Sequence, residues 1–152
     1  MRKTWHKGFA MAIFSTLLAA CAGERPENLG VRGGEFAPCP ASLNCVSSFA
    51  TDKQHYIAPL AFSGVPDRAF TSLKAILKQR GDATIIDEQV DYLRVELRTT
   101  LFVDDAEFLL DRGSGVIQVR SASRLGYSDL GKNRSRMEEI RTQFVREVGK
   151  PG

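Results

Sequence analysis

Between Tyr92 and Arg124 apolar and polar residues take turns. In "DYLRVELRTTL", Leu93, Val95, Leu97 and Leu101 fall on one side and Tyr92, Arg94, Glu96 and Arg98 on the other. "DAEFLLD" sets Ala106, Phe108 and Leu110 against Asp105, Glu107 and Asp111, and "GVIQVRSASR" sets Ile117 and Val119 against Gln118, Arg120 and Arg124. Neighbouring side chains of a strand point to opposite faces, so this spacing predicts three strands with one apolar and one charged face. Clean alternation of that kind belongs to antiparallel sheets. The β-branched "ATIIDE" predicts a fourth strand ahead of them, and "RGSG" predicts the hairpin between the last two.

The period changes on either side of this block. In "VPDRAFTSLKAILKQRG", Phe70, Leu73, Ile76 and Leu77 recur at helical spacing, with Pro66 suited to the first turn and Gly81 to the C-terminal cap. In "NRSRMEEIRTQFVREV", Met137, Ile140, Phe144 and Val148 form an apolar stripe, and Ser135 with Glu138 matches a capping box, with Asn133 as the competing cap. The expected fold is α+β: an antiparallel sheet of about four strands in meander order, flanked by two helices that pack on its apolar face.

The first twenty residues follow a different pattern. "MRKTWHKG" carries Arg2, Lys3 and Lys7 and no acid, and the twelve residues of "FAMAIFSTLLAA" are mostly apolar. That run has the length of a signal-peptide core and is too short to span a bilayer as a helix. "LAAC" follows, ending at Cys21. Small residues before a cysteine here resemble the lipobox of bacterial lipoproteins, in which the chain is cut before the cysteine and its thiol is acylated. An ordinary secretory signal is the competing reading, and both send the chain out of the cytoplasm.

Removing residues 1–20 changes the charge balance. The chain has 21 Lys and Arg against 18 Asp and Glu, and three of those cations lie in the leader, so the mature chain of 132 residues is neutral. Its size fits one domain. A neutral, exported chain gives no ground for nucleic-acid binding. The expected organisation is a signal peptide over 1–20, a flexible tether over 21–36 (rich in Gly and polar residues), and one domain over 37–149.

With Cys21 acylated, Cys39 and Cys45 remain, bracketing "CPASLNC". A disulfide is the expected state in an oxidising compartment. Two sharper readings stay open: Cys45 as a nucleophile with His55 as its base, or a metal held by Cys39, Cys45, His55 and an acid such as Asp52. The expectation adopted is a disulfide, with no metal and no cofactor.

"RSASRLGYSDLGKNRSR", residues 120–136, gathers four arginines, Lys132 and Asp129 around Gly126 and Gly131. Cations at the start of a helix oppose its dipole, so a compensating anion is expected. Asp129 pairing with an arginine, helped by Asp104 or Asp105, is one source. An external anion held by Arg120, Arg124, Lys132, Arg134 and Arg136 is a second, and simple solvated charge is a third reading. Arg120 and Arg124 are expected to project from the charged face toward the glycines.

"CPASLNCVSS", "IAPLAF", "YLRVE", "FVDDAEFLLD" and "VIQVRSASRLGYSDLGKNRSRMEEIR" together resemble the bacterial family called domain of unknown function 1499, from about Leu29 to Phe144. Leu43 departs from the pattern, which carries a proline before Asn-Cys. The resemblance implies one domain in the cell envelope and assigns no activity and no catalytic residues. The expected function is a lipid-anchored, non-enzymatic protein facing the periplasm at the outer membrane, binding a small anionic ligand or an envelope protein. The rival is an envelope hydrolase of an anionic substrate, using Ser121, Ser123 or Tyr127 with Asp129 and the arginines.

Overall fold

A computed structural model describes residues 23–149. The leader and Cys21, the expected acylation site, lie outside the described residues.

The described chain runs β1 (Val31–Arg32), β2 (Glu35–Phe36), β3 (Cys45–Ser47), β4 (Leu60–Ala61), α1 (Pro66–Gln79), β5 (Ala83–Glu88), β6 (Tyr92–Arg98), β7 (Val103–Asp111), β8 (Val116–Ser123) and α2 (Lys132–Val148). The four strands expected from alternation are β5 to β8, and they pair antiparallel in chain order. The sheet has six strands, however. β3 and β4 share the outer edge of β8, β3 opposite Arg120–Ala122 and β4 opposite Val116–Ile117. Runs of three and two residues are too short to show a period, so the sequence hides them.

The apolar face of the sheet carries Leu93, Val95, Leu97, Ala106, Phe108, Ile117 and Val119, all at most 1% exposed. Both helices cover it, α1 through Phe70, Leu73 and Leu77 and α2 through Met137, Ile140 and Phe144.

Several local expectations need correction. Leu101 is not on the apolar face: β6 ends at Arg98, and Thr99 and Phe102 close a turn through reciprocal hydrogen bonds, leaving Leu101 65% exposed. Gly81 does not supply a left-handed cap. α1 ends with Arg80 already extended, because the chain passes directly into β5. α2 begins at Lys132, before the expected Ser135–Glu138 box, and Glu138 instead pairs with Arg141 at 2.9 Å.

The largest departure concerns the expected tether. From Gly23 onward this segment lies along the charged face of the sheet. Arg25 Nη2 donates to Glu96 at 2.6 Å, and the Gly30 N–H donates to Glu107 at 2.6 Å. β1 and β2 then form a small hairpin, and Phe36 is buried, meeting Phe49 edge-on at 5.5 Å. Buried carboxylates demand donors, and this strap brings two of them.

Candidate functional site

The strap turns the charged face into a buried one. Glu107, Asp105 and Glu96 are 0%, 1% and 2% exposed, and Arg120 5%. β6, β7 and β8 place these residues on one face by strand alternation, with Glu107 directly between Arg94 and Arg120. Arg124 forks onto Asp105 with bonds of 2.7 and 2.9 Å and reaches Glu96 at 2.6 Å. Arg98 holds the other oxygen of Glu96 at 2.5 Å. Arg120 reaches Glu107 at 3.3 Å, and the Tyr92 hydroxyl donates to Glu107 at 2.8 Å.

The electrostatics follow from these contacts. Burial opposes ionisation of Glu96, but the hydrogen bonds from Arg25, Arg124 and Arg98 and the charge of Arg124 outweigh it, holding its pKa down at about 2. Arg124 is held firmly protonated by its bonds to Asp105 and then Glu96, against its own burial. Burial, followed by the charge of Glu107, pushes the Tyr92 hydroxyl upward.

A second group of charges lies on the helix side. Arg136 of α2 donates to Asp104 of β7 at 2.5 Å, with side chains 1% and 3% exposed. Its Nε stands 3.4 Å from Asp82, which Arg80 grips with two hydrogen bonds. The Arg80 contacts keep the Asp82 carboxyl below its ordinary range. Beside this pair, Asn133 joins β8, the residue before β3 and the junction. It accepts from Ser121, and its amide donates to Ser123 Oγ at 2.9 Å, to Asp129 at 2.7 Å and to the Asn44 carbonyl at 3.3 Å.

Among the described residues, Asp129 does not pair with an arginine. Its carboxylate accepts from the N–H groups of Gly131 at 2.9 Å and Asn133 at 2.7 Å. It therefore satisfies the free donors at the start of α2, while the arginines turn to acids of the sheet.

The expected anion-binding cations are thus spread over four surroundings. Arg120 and Arg124 lie under the strap, Arg136 is buried against Asp104, and Arg134 donates to the carbonyls of Tyr56 and Gln54 at 2.7 and 2.9 Å. Lys132 is exposed and makes no ion pair among the described residues. Asp104 and Asp105 do supply compensation, each to a different arginine.

Cys39 and Cys45 are joined in a disulfide, with Cα atoms 5.7 Å apart. This removes Cys45 as a free nucleophile and both thiols as metal ligands. His55 is buried, with Nδ1 2.9 Å from Asp52 and Nε2 3.1 Å from the Ser42 carbonyl. The Asp52 bond, aided by Ser42, raises its pKa above the ordinary value of 6.5. Both ring nitrogens are therefore committed, and neither faces a serine hydroxyl. Among the described residues, no group of His, Cys, Asp or Glu is arranged to hold a metal ion, and no helix is long and apolar enough to cross a membrane.

Two hollows remain. A cleft of about 710 Å³ opens between the strap and the start of β6, lined by Pro26, Leu29, Gly30, Tyr92, Arg94 and Leu109, with Glu27, Asp87 and Asp91 at hand. Asp91 is taken by Arg112 at 2.7 Å, and Asp87 accepts the Gln89 amide at 3.0 Å. Arg94 makes no hydrogen bond or ion pair among the described residues, and Glu107 beside it is already filled by Gly30, Tyr92 and Arg120. Alternation placed Arg94 on the charged face. That the strap roofs it could not be read from a stretch rich in Gly and polar residues.

The second hollow, about 370 Å³ and more apolar, lies at the opposite end of β6 and β7, among Phe102, Leu125, Leu130 and Lys132.

Residues 35–144 match the family model described as "Protein of unknown function (DUF1499)". The chain belongs to the DUF1499 family. No match to it was found among curated proteins or among solved structures. The DUF1499 match begins at Glu35, so residues 23–34, which roof the charged face and one side of the cleft, precede the matched segment.

Proposed function

We propose that this DUF1499 protein is a lipid-anchored, non-enzymatic binding protein of the bacterial cell envelope. It is acylated at Cys21, faces the periplasm at the outer membrane, and holds a small anionic ligand in the cleft headed by Arg94. The basic leader, the apolar run and "LAAC" support the anchor. The disulfide agrees with an oxidising compartment.

The carrying observation is the contrast between Arg94 and the other arginines of the sheet. Arg120 and Arg124 are neutralised by buried carboxylates, whereas Arg94 lines an open cleft and makes no ion pair among the described residues. A planar guanidinium suits a carboxylate or phosphate, which it can bind through two parallel hydrogen bonds. The Gln89 side-chain amide beside it would orient such a ligand.

Thermal unfolding of the purified protein with inorganic phosphate and with small dicarboxylates tests the reading. A ligand that binds only the folded state raises the midpoint. The rise should occur in the wild type and vanish in Arg94→Gln. An equal rise in both proteins, or none with either class of anion, contradicts it. Incorporation of labelled fatty acid that persists in Cys21→Ala contradicts the anchor.

A further inference from the structure

The loops at one end of the sheet expose apolar side chains. Leu101 and Phe102, in the β6–β7 turn, are 65% and 49% exposed, and Leu125, Tyr127 and Leu130, between β8 and α2, are 43%, 70% and 97% exposed. Phe102, Leu125 and Leu130 share the apolar hollow, so the two loops form one surface. Single exposed leucines are ordinary, but a contiguous group of this kind marks an interaction surface. Leu130 is also the one described non-glycine residue with positive φ, at 53°. Its backbone is strained and its side chain gains no burial in return.

What covers this surface is indicated by the path of the chain. Gly23 packs directly on it: a Cβ there would stand 2.9 Å from Arg124 Cβ and 3.0 Å from Leu125 Cγ. Cys21 precedes Gly23 by only two residues in the chain, so a lipid on it would be tethered close to this surface. An acyl group on Cys21 would enter the bilayer beside Leu125. The membrane surface is then held against these same loops, with Lys132 at their rim.

The geometry points to a membrane-docking face formed by Leu101, Phe102, Leu125, Tyr127 and Leu130, which seats on the lipid bilayer next to the anchor. This rests on acylation of Cys21. Apolar and aromatic side chains at the headgroup boundary add area to the lipid chains and fix the orientation of a domain that a lipid alone would leave free. Arg94 and Val90 lie at the far end of β6, so docking on this face points the cleft away from the membrane.

The test uses the full chain, expressed in a bacterium and reconstituted into phosphatidylethanolamine–phosphatidylglycerol vesicles containing brominated lipid. Leu130→Trp and Val90→Trp are each made in a Trp5→Phe background, and the mass of the Cys21 peptide is measured in both. The indole at position 130 should emit to the blue and lose about half its emission to bromine, as expected for a group some 5–10 Å into the headgroup boundary. The indole at position 90 should be unaffected. Acylated, vesicle-bound protein whose position-130 indole is not quenched overturns the docking face and leaves the anchor standing. A blue-shifted but unquenched indole overturns it too, since a second copy or another protein segment then covers the loops. Quenching in protein without acyl mass supports the docking face and overturns the anchor. Protein that carries no acyl group and does not bind vesicles overturns both.

Discussion

Arg136 of α2 and Asp104 of β7 form an ion pair at 2.5 Å that is shut away from water on the helix side of the sheet. Asp104 thus departs from the apolar character of its face, among Ala106, Phe108 and Leu110. A lone charge in such a place is far more costly than the pair. Asp104→Asn should therefore lower the unfolding free energy by about 3–5 kcal/mol, because Arg136 keeps its charge and loses its principal partner. Replacing both together, Asp104→Leu with Arg136→Met, should recover most of that loss. Urea unfolding of the three variants checks this. A double variant as unstable as the single one would show that the pair does more than neutralise itself.

Glu96 links the strap to the sheet, and its folded pKa of about 2 lies below the ordinary 4.5. A depressed carboxyl stabilises the fold above its unfolded pKa, and that contribution is lost as pH falls through the folded value. Stability should therefore decline between about pH 4.5 and 2, and Glu96→Gln should flatten this part of the profile. Unfolding midpoints measured across this range decide it. An unchanged slope in Glu96→Gln would assign the acid sensitivity elsewhere.

His55 carries the opposite sign. Its pKa is raised by Asp52 and by the Ser42 carbonyl, against its burial and the charge of Arg134. Protonated His55 therefore contributes stability that is fully present below 6.5 and is lost as pH rises through the folded value. An NMR titration of the imidazole should give a midpoint above 6.5, and Asp52→Asn should bring it down. A midpoint at or below 6.5 in the wild type contradicts the hydrogen bonding described for this ring.

Asp129 stabilises α2 through the backbone N–H groups of Gly131 and Asn133. Asp129→Ala should destabilise the protein by about 1 kcal/mol, the usual loss at a helix start, and Asp129→Asn by less. Neither change should alter the titration of Glu96. A loss of several kcal/mol in Asp129→Asn would mean that this carboxylate neutralises an arginine after all.

The sequence made the faces of β6 to β8 legible because a period of two survives over seven or more residues. It also made the disulfide legible, because two cysteines six positions apart, behind a leader that reads as an export signal, have few other expected uses. It did not reveal β3 and β4, which are too short to show a period. Nor did it reveal that the charged face is buried. Glu96 and Arg120 look solvated when only their own strands are considered, and the covering segment, residues 23–36, has the composition of a loop. The cations of the junction were visible, but their destinations were not. Arg124 and Arg136 lie twelve residues apart and turn to opposite faces of the sheet, one to Asp105 and the other to Asp104, which are adjacent in the chain. Strand alternation separates those two acids, and it does so only once the register of β7 against β8 is known.

In the proposed function Arg94 is the guanidinium left for a ligand, while Arg120, Arg124 and Arg136 serve the fold. Arginine Nε–Hε resonances, assigned one by one and followed during titration with inorganic phosphate, test this most directly. The Arg94 resonance should move and saturate, while those of Arg120, Arg124 and Arg136 stay in place. Movement of the three buried arginines with Arg94 unmoved would contradict the account and return the anion to the junction before α2.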